Sequence, residues 1–117
     1  MGTIRKVLVV DDEADVADLA EVLLSAHGFE AIVAYSAAEA LDMLATHPDI
    51  DALVSDVMMP GMNGIELADQ VSRRYPAVKI VLASGYMAPT MVKDRALTQL
   101  FIPKPYRIDQ LIKLLQT

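Results

Sequence analysis

Three aspartates, a serine and a lysine are the side chains whose types and positions could do chemistry together. Asp11 and Asp12 follow one apolar segment. Asp56, Ser84 and Lys104 each come at or just after the end of a further apolar segment. Carboxylate oxygens are ligands that a hard divalent cation such as Mg²⁺ prefers, and a hydroxyl and an ammonium group can bind phosphoryl oxygens. The five residues predict a site for a cation and a phosphoryl group, provided that the fold brings them together.

Each part of this set also has an ordinary structural interpretation. An Asp-Asp pair often caps a helix, Ser84-Gly85 alone is typical of a turn after a strand, and Lys104-Pro105 alone is typical of a solvated lysine before a turn. Two carboxylates 5 Å apart repel by about 3 kcal/mol at an effective dielectric constant of about 20. Without a cation, one of three would be driven towards protonation. The combination therefore favours a cation site over a helix cap.

The elements that must position these residues are predicted from hydrophobic patterns. Short apolar runs without alternation are typical of strands that are buried on both faces. Such runs, each followed by turn chemistry, predict strands at residues 4–10, 30–34, 51–55, 79–83 and 100–102. The last residue of each run leads into a polar or glycine-containing loop.

Amphipathic helices are predicted between the strands. Apolar residues recur at helical spacing from Val16 until Gly28, after a capping-box pattern at Ser36, after the turn that ends at Gly64, and from Ile108 onward. Residues 88–98 have only weak periodicity, so this segment is interpreted as one or two helical turns at most. Strands that alternate with helices predict an α/β fold: a doubly wound, five-stranded parallel sheet with helices on both faces. In such a sheet the carboxyl ends of the strands meet at one edge, where ligands bind.

Composition limits the class of protein. The 117 residues are interpreted as one domain, 1–117, and with 54% hydrophobic residues and a mean hydropathy of +0.35 we expect it to fold. A net charge of −6 argues against direct, non-specific nucleic-acid binding. The absence of cysteine excludes disulfides, a thiolate nucleophile and zinc–thiolate sites. We expect no membrane insertion and a cytoplasmic location.

The four motifs at the strand ends carry a resemblance. They are Asp11-Asp12, Asp-Val-Met-Met-Pro-Gly-Met-Asn-Gly at residues 56–64, Ser84-Gly85, and Lys-Pro-Tyr at residues 104–106. In this order and spacing, over essentially the whole chain, they resemble the receiver domain of two-component response regulators. The resemblance implies the flavodoxin-like (βα)5 receiver fold and a role in phosphorelay signal transduction. It is compatible with a single-domain regulator and with a receiver from a hybrid histidine kinase.

The resemblance also implies a reaction and a metal. Asp56 would accept a phosphoryl group from a phosphohistidine on a sensor histidine kinase or a histidine phosphotransfer domain. Mg²⁺ (or Mn²⁺) would be held by Asp12, by Asp56, by the backbone carbonyl of Met58 and, largely through water, by Asp11. The chain would not be a conventional enzyme, although it would catalyse its own phosphorylation and dephosphorylation.

Further residues receive roles from the same resemblance. Ser84 and Lys104 would bind the phosphoryl oxygens, Gly85 would leave room for them, and a cis peptide bond at Pro105 would orient the lysine. Tyr86 would join Met58 in shielding the phosphoryl group from water.

Switching would couple the hydroxyl of Ser84 to rotation of Phe101, which changes the surface presented to an unknown output protein. The chain would be a monomer or a phosphorylation-dependent dimer. Two alternatives remain open. One is a phosphorylation-independent interaction module of the same fold, and the other is a flavin- or nucleotide-binding doubly wound domain. The second alternative is disfavoured because Asp11-Asp12-Glu13 occupies the loop where a phosphate-binding sequence would be needed.

Overall fold

A computed structural model describes residues 3–85 and 100–116 of the chain. Its five parallel strands lie in the spatial order β2-β1-β3-β4-β5, which confirms the predicted five-stranded parallel sheet. The strands are β1 (Lys6–Val10), β2 (Glu30–Ala34), β3 (Ala52–Asp56), β4 (Lys79–Ser84) and β5 (Leu100–Pro103).

The described helices are α1 (Ala14–Ala26), α2 (Ala37–Thr46), α3 (Gly64–Arg74) and α4 (Ile108–Leu115). The segment 88–98, for which the sequence predicted at most one or two helical turns, and Tyr86 lie outside the described residues. No helix in the described part of the chain has the length and apolar character needed to cross a membrane.

The first strand is shorter than predicted. Residues 4 and 5 precede β1. At its start, the backbone N–H groups of Arg5 and Lys6 donate to the carboxylate of Asp51, at 2.9 and 3.0 Å. The Nζ atom of Lys6 lies 3.2 Å from a carboxylate oxygen of Asp49 and 3.4 Å from one of Glu30. These polar contacts lie at the amino ends of the strands, on the edge of the sheet opposite the predicted site.

The core consists of two apolar clusters, one on each face of the sheet. Alternate residues of β1 point to opposite faces, so Leu8 belongs to one cluster and Val7 to the other. The cluster with Leu8 contains the buried residues of α2 and α3, and the cluster with Val7 contains those of α1 and α4. Helices therefore cover both faces, as the unalternating strand patterns predicted.

Helix caps fix the loops that follow two of the strands. The Ser36 hydroxyl accepts from the backbone N–H of Glu39 at 3.1 Å, but the Glu39 carboxylate accepts from Tyr35 and not from Ser36. The predicted capping box at α2 is thus only half formed. The complete capping box lies at α3, where Asn63 and Glu66 bond each other's backbone N–H groups at 2.9 and 3.0 Å. The sequence had indicated only a turn there.

Candidate phosphoacceptor and metal site

The parallel register brings the predicted site residues to one edge of the sheet. Val10 pairs with Ser55, Asp56 pairs with Ala83, and Ser84 pairs with Pro103, so the strands end nearly level with one another. Residues up to 93 positions apart in sequence are therefore in contact at this edge.

Three carboxylates form the centre of the site. Asp11, Asp12 and Asp56 each place one oxygen within 4.8 Å of the other two. Asp11 is only 5% exposed and Asp56 only 7%, whereas Asp12 is exposed. An all-oxygen, anionic donor set that is open to solvent on one side fits a hard cation that keeps several water ligands, as Mg²⁺ does.

Lys104 supplies the positive charge beside these carboxylates. Its Nζ atom donates to Asp11 Oδ2 at 3.0 Å and lies 3.5 Å from Asp56 Oδ1. The backbone N–H of Lys104 donates to the carbonyl oxygen of Ser84 at 2.9 Å, which joins the end of β5 to the end of β4. The peptide bond between Lys104 and Pro105 is cis, as the resemblance implied.

Burial and neighbouring charges shift the pKa values of Asp56 and Lys104. Burial raises the pKa of Asp56, and the charge of Asp11 adds to this, while the charge of Lys104 opposes it. For Lys104, burial lowers the pKa, but its hydrogen bond to Asp11 and the charges of Asp11 and Asp56 outweigh burial, so the pKa lies above its ordinary value. The lysine therefore stays charged, and it only partly compensates three carboxylates.

The loop after β1 holds Asp11 in place. The backbone N–H of Asp11 donates to the carbonyl oxygen of Ala34 at 3.2 Å, and its Oδ1 accepts from the backbone N–H of Glu13 at 3.0 Å. With Oδ1 on a backbone group and Oδ2 on Lys104, both oxygens of Asp11 are already engaged.

Gly64 is a residue of the site region that sequence reasoning interpreted only as part of a turn. A Cβ atom at this position would overlap the backbone carbonyl oxygen of Asp56 and would lie 2.9 Å from the Cα of Val57. Two hydrogen bonds of 2.9 Å, Val57 N–H to Ala83 O and Gly64 N–H to Val57 O, anchor this close approach. A side chain at residue 64 would thus displace the backbone of Asp56 and Val57.

The remaining predicted residues surround this centre. Ser84 is 2% exposed at the end of β4. Gly85 is exposed, and among the described residues other than its chain neighbour no atom lies within 4 Å of where its Cβ would be. The Met58 side chain is 57% exposed. Phe101 is partly buried and packs against the cluster that contains Leu82, its register partner on β4.

An apolar groove of about 540 Å³, which sequence reasoning did not identify, opens beside Lys104. Its walls come from α1 and from the segment that joins β5 to α4, and they include Val16, Leu19, Tyr106 and Ile108. Leu19, which lines this groove, is 58% exposed. The only sequence signal was that the apolar stripe of α1 is wider than one helix face needs.

Comparison with known proteins assigns this chain to a family. The family model described as "Response regulator receiver domain" matches residues 7–116. The "Putative response regulator NtrX-like" of Rickettsia bellii is 32% identical over 116 residues, which cover 94% of this chain and 24% of that protein. The chain thus spans about a quarter of the length of the curated relatives it matches.

Solved structures show the same fold. The receiver domain of the hybrid histidine kinase CckA is 32% identical, with a TM-score of 0.78, over 95% of this chain and 99% of that one. The response regulator TrrA of Thermotoga maritima, solved in complex with Mg(2+)-BeF, is 27% identical, with a TM-score of 0.82, over 93% of this chain and 94% of that one. With its CheY-like sheet order and acidic site, this chain belongs to the response regulator receiver domain family of two-component signalling.

Proposed function

We propose that this chain is a phosphorelay receiver in which Asp56 accepts a phosphoryl group from a phosphohistidine. The observation that carries the proposal is the placement of a buried carboxylate between two further carboxylates and a lysine, at the open edge of the sheet. Attack by an Asp56 oxygen on phosphorus forms a P–O bond and breaks the P–N bond of the donor. The electron pair of that bond remains on the imidazole nitrogen, and the product is an acyl phosphate.

Charge compensation is the main requirement of this step, since phosphoryl transfer depends more on positioning and electrostatics than on covalent machinery. Asp11, Asp12, Asp56 and the backbone carbonyl of Met58 would hold Mg²⁺ or Mn²⁺, which supplies positive charge to the phosphoryl oxygens when bound. Lys104, 3.5 Å from Asp56 Oδ1, would transfer part of its hydrogen bonding from Asp11 to a phosphoryl oxygen.

Ser84 and Phe101 would convert phosphorylation into a change of surface. The Ser84 hydroxyl would bind a phosphoryl oxygen, and Gly85, which has no side chain, would leave room for it. The partly buried ring of Phe101 would then rotate, which alters the face that includes β5 and α4 and that the output protein recognises. Pro105 would support Lys104, and Met58 with Tyr86 would limit the access of water to the phosphoryl group, while the domain would catalyse its own dephosphorylation.

The partner would be a sensor histidine kinase or a histidine phosphotransfer domain in the cytoplasm. The apolar groove beside Lys104 gives such a donor a surface to cover while it delivers its phosphohistidine to Asp56. Residues 1–117 would act as one receiver domain, either alone or within a longer chain such as a hybrid kinase, and as a monomer or a phosphorylation-dependent dimer.

The test is intact mass after incubation with acetyl phosphate, with Mg²⁺ or with a chelator. We expect a gain of one phosphoryl group that requires Mg²⁺ and that is lost in Asp56→Asn. Asp42→Asn, an exposed aspartate in α2, is the matched control and should still be phosphorylated. A folded wild-type protein that gains no mass and binds no Mg²⁺ would instead favour the phosphorylation-independent interaction module.

A further inference from the structure

Met58 is the most exposed of the methionines that the structure describes. It is 57% exposed, whereas Met59 is 8% exposed, and Met43 and Met62 are partly buried against the core. The sulfur of Met62 also accepts from the side-chain amide of Gln70 at 3.6 Å. Because the chain contains no cysteine, thioethers are its only oxidisable sulfur groups. Among the described residues, a peroxide therefore meets the sulfur of Met58 first.

The loop holds the backbone of Met58 at the mouth of the proposed acceptor site. Val57 N–H donates to the carbonyl oxygen of Ala83 at 2.9 Å, and the backbone N–H of Met58 bonds the carboxylate of Asp56. On the other side, Met59 inserts into the core. Met58 is held between these anchors, so its backbone stays close to the acceptor while its side chain remains in solvent.

Oxidation would reverse the character of this side chain. A thioether is apolar and only a weak hydrogen-bond acceptor. A sulfoxide is polar, and its oxygen is a strong acceptor. An acyl phosphate is lost when a water molecule attacks phosphorus, and an acceptor beside the acyl phosphate can hold and orient that water. The thioether keeps this position apolar.

We propose that Met58 is a redox-sensitive modification site, at which a hydroperoxide forms methionine sulfoxide and shortens the lifetime of phosphorylated Asp56. The second half of this inference rests on the proposed function. In the reaction the sulfur attacks the peroxide, the O–O bond breaks, and one oxygen remains on sulfur, which is oxidised by two electrons. The other oxygen leaves as water when the peroxide is hydrogen peroxide. A thiol-dependent sulfoxide reductase would reverse the change.

The experiment has two readouts on the same samples. The 117-residue protein is treated with increasing concentrations of hydrogen peroxide, and peptide mapping by mass spectrometry gives the oxidation rate of each methionine. The samples are then phosphorylated with acetyl phosphate and Mg²⁺, and loss of the phosphoryl group is followed by intact mass. Met58→Leu, which keeps an apolar side chain but has no sulfur, is treated in parallel, and each protein is compared with itself before oxidation.

We expect Met58 to be oxidised before Met59 and Met62, and the phosphoryl lifetime to fall about fivefold, which corresponds to about 1 kcal/mol in the barrier to hydrolysis. Peroxide should leave the lifetime in Met58→Leu unchanged, and sulfoxide reductase should restore the lifetime in the wild type. Faster oxidation of Met59, an unchanged lifetime after oxidation of Met58, or an equal fall in Met58→Leu would each overturn the inference while leaving the receiver function intact. No phosphorylation of the reduced protein would overturn both.

Discussion

Replacement of Asp56 by asparagine should stabilise the protein in the absence of a divalent cation. At an effective dielectric constant of about 20, a carboxylate with an oxygen within 4.8 Å of another is repelled by at least about 3.5 kcal/mol. Asp56 has two such neighbours, whereas Lys104, at 3.5 Å, attracts it by about 5 kcal/mol. Burial adds a further cost to the charge of Asp56, in the same direction as its raised pKa.

Repulsion by Asp11 and Asp12 therefore exceeds attraction by Lys104, so the negative charge of Asp56 destabilises the folded state. Solvent at the exposed Asp12 screens part of this repulsion. We expect Asp56→Asn to raise the free energy of unfolding by about 1–2 kcal/mol at pH 7, which corresponds to about 3–8 °C in the midpoint of thermal unfolding. The asparagine keeps nearly the same volume, so packing against the neighbouring loop should change little.

Urea and thermal unfolding in EDTA measure this difference, with Asp42→Asn as the control for removal of one negative charge. The sign of the pH dependence is a second check. Because the pKa of Asp56 is raised in the folded state, the cost of its charge is present at neutral pH and disappears as the pH falls below the ordinary carboxyl range. The advantage of Asp56→Asn should therefore shrink on acidification.

Mg²⁺ should reverse the order of stability. A ligand that binds only the folded state stabilises it by about 2.7 kcal/mol at a concentration a hundred times its Kd, and the variant, with one carboxylate fewer, should gain less. A variant that is less stable than the wild type in EDTA at pH 7, while Asp42→Asn is unchanged, would refute the reasoning that the uncompensated carboxylates repel.

Three further predictions concern the scaffold around the site. Gly64→Ala should lower the free energy of unfolding by about 1–3 kcal/mol, because the new methyl group overlaps backbone atoms. Gly85→Ala, whose methyl group would meet no atom of the described residues beyond its chain neighbour within 4 Å, should cost little, and urea unfolding of both variants measures the difference. Hydrogen bonding to Lys6 lowers the pKa of Asp49 from its ordinary value of 3.8, so its contribution to stability is present at neutral pH and is lost as the pH falls through that lowered pKa. Thermal midpoints between pH 7 and 3 should consequently fall less steeply in Asp49→Asn. Ser36→Ala removes the N-cap of α2 and should cost about 1 kcal/mol by urea unfolding, and no measurable loss would show that the cap is dispensable.

The sheet was predictable because its strands are buried on both faces. Runs such as Val7–Val10 and Ile80–Ala83 contain no polar side chains. This pattern is typical of a strand that helices cover on both faces. The polar residue that ends each run then had to lie at the carboxyl edge. The positions of Asp11, Asp12 and Asp56 at the ends of predicted strands were therefore enough to predict that these three carboxylates lie together.

Boundaries and caps were less predictable, because they depend on which of several local hydrogen bonds forms. Ser36 and Glu39 have the spacing of a capping box, yet the glutamate bonds Tyr35. Asn63 and Glu66 form the complete box inside a segment whose composition indicated only a turn. In both cases the donors and acceptors are close in sequence, and the backbone angles of the loop decide between them.

By itself, the sequence determined the order of strands and helices, the parallel sheet, and the five residue types at its carboxyl edge, since all of these follow from local hydrophobic patterns and chain direction. Only the tertiary structure decided that Lys104 bonds Asp11 at 3.0 Å, closer than its 3.5 Å approach to Asp56, and that Gly64 must lack a side chain. These features depend on strand register and on close packing between segments far apart in the chain. A sequence pattern predicts which face of a strand a side chain points to. It does not predict the distance between Lys104 and Asp11, which are 93 positions apart.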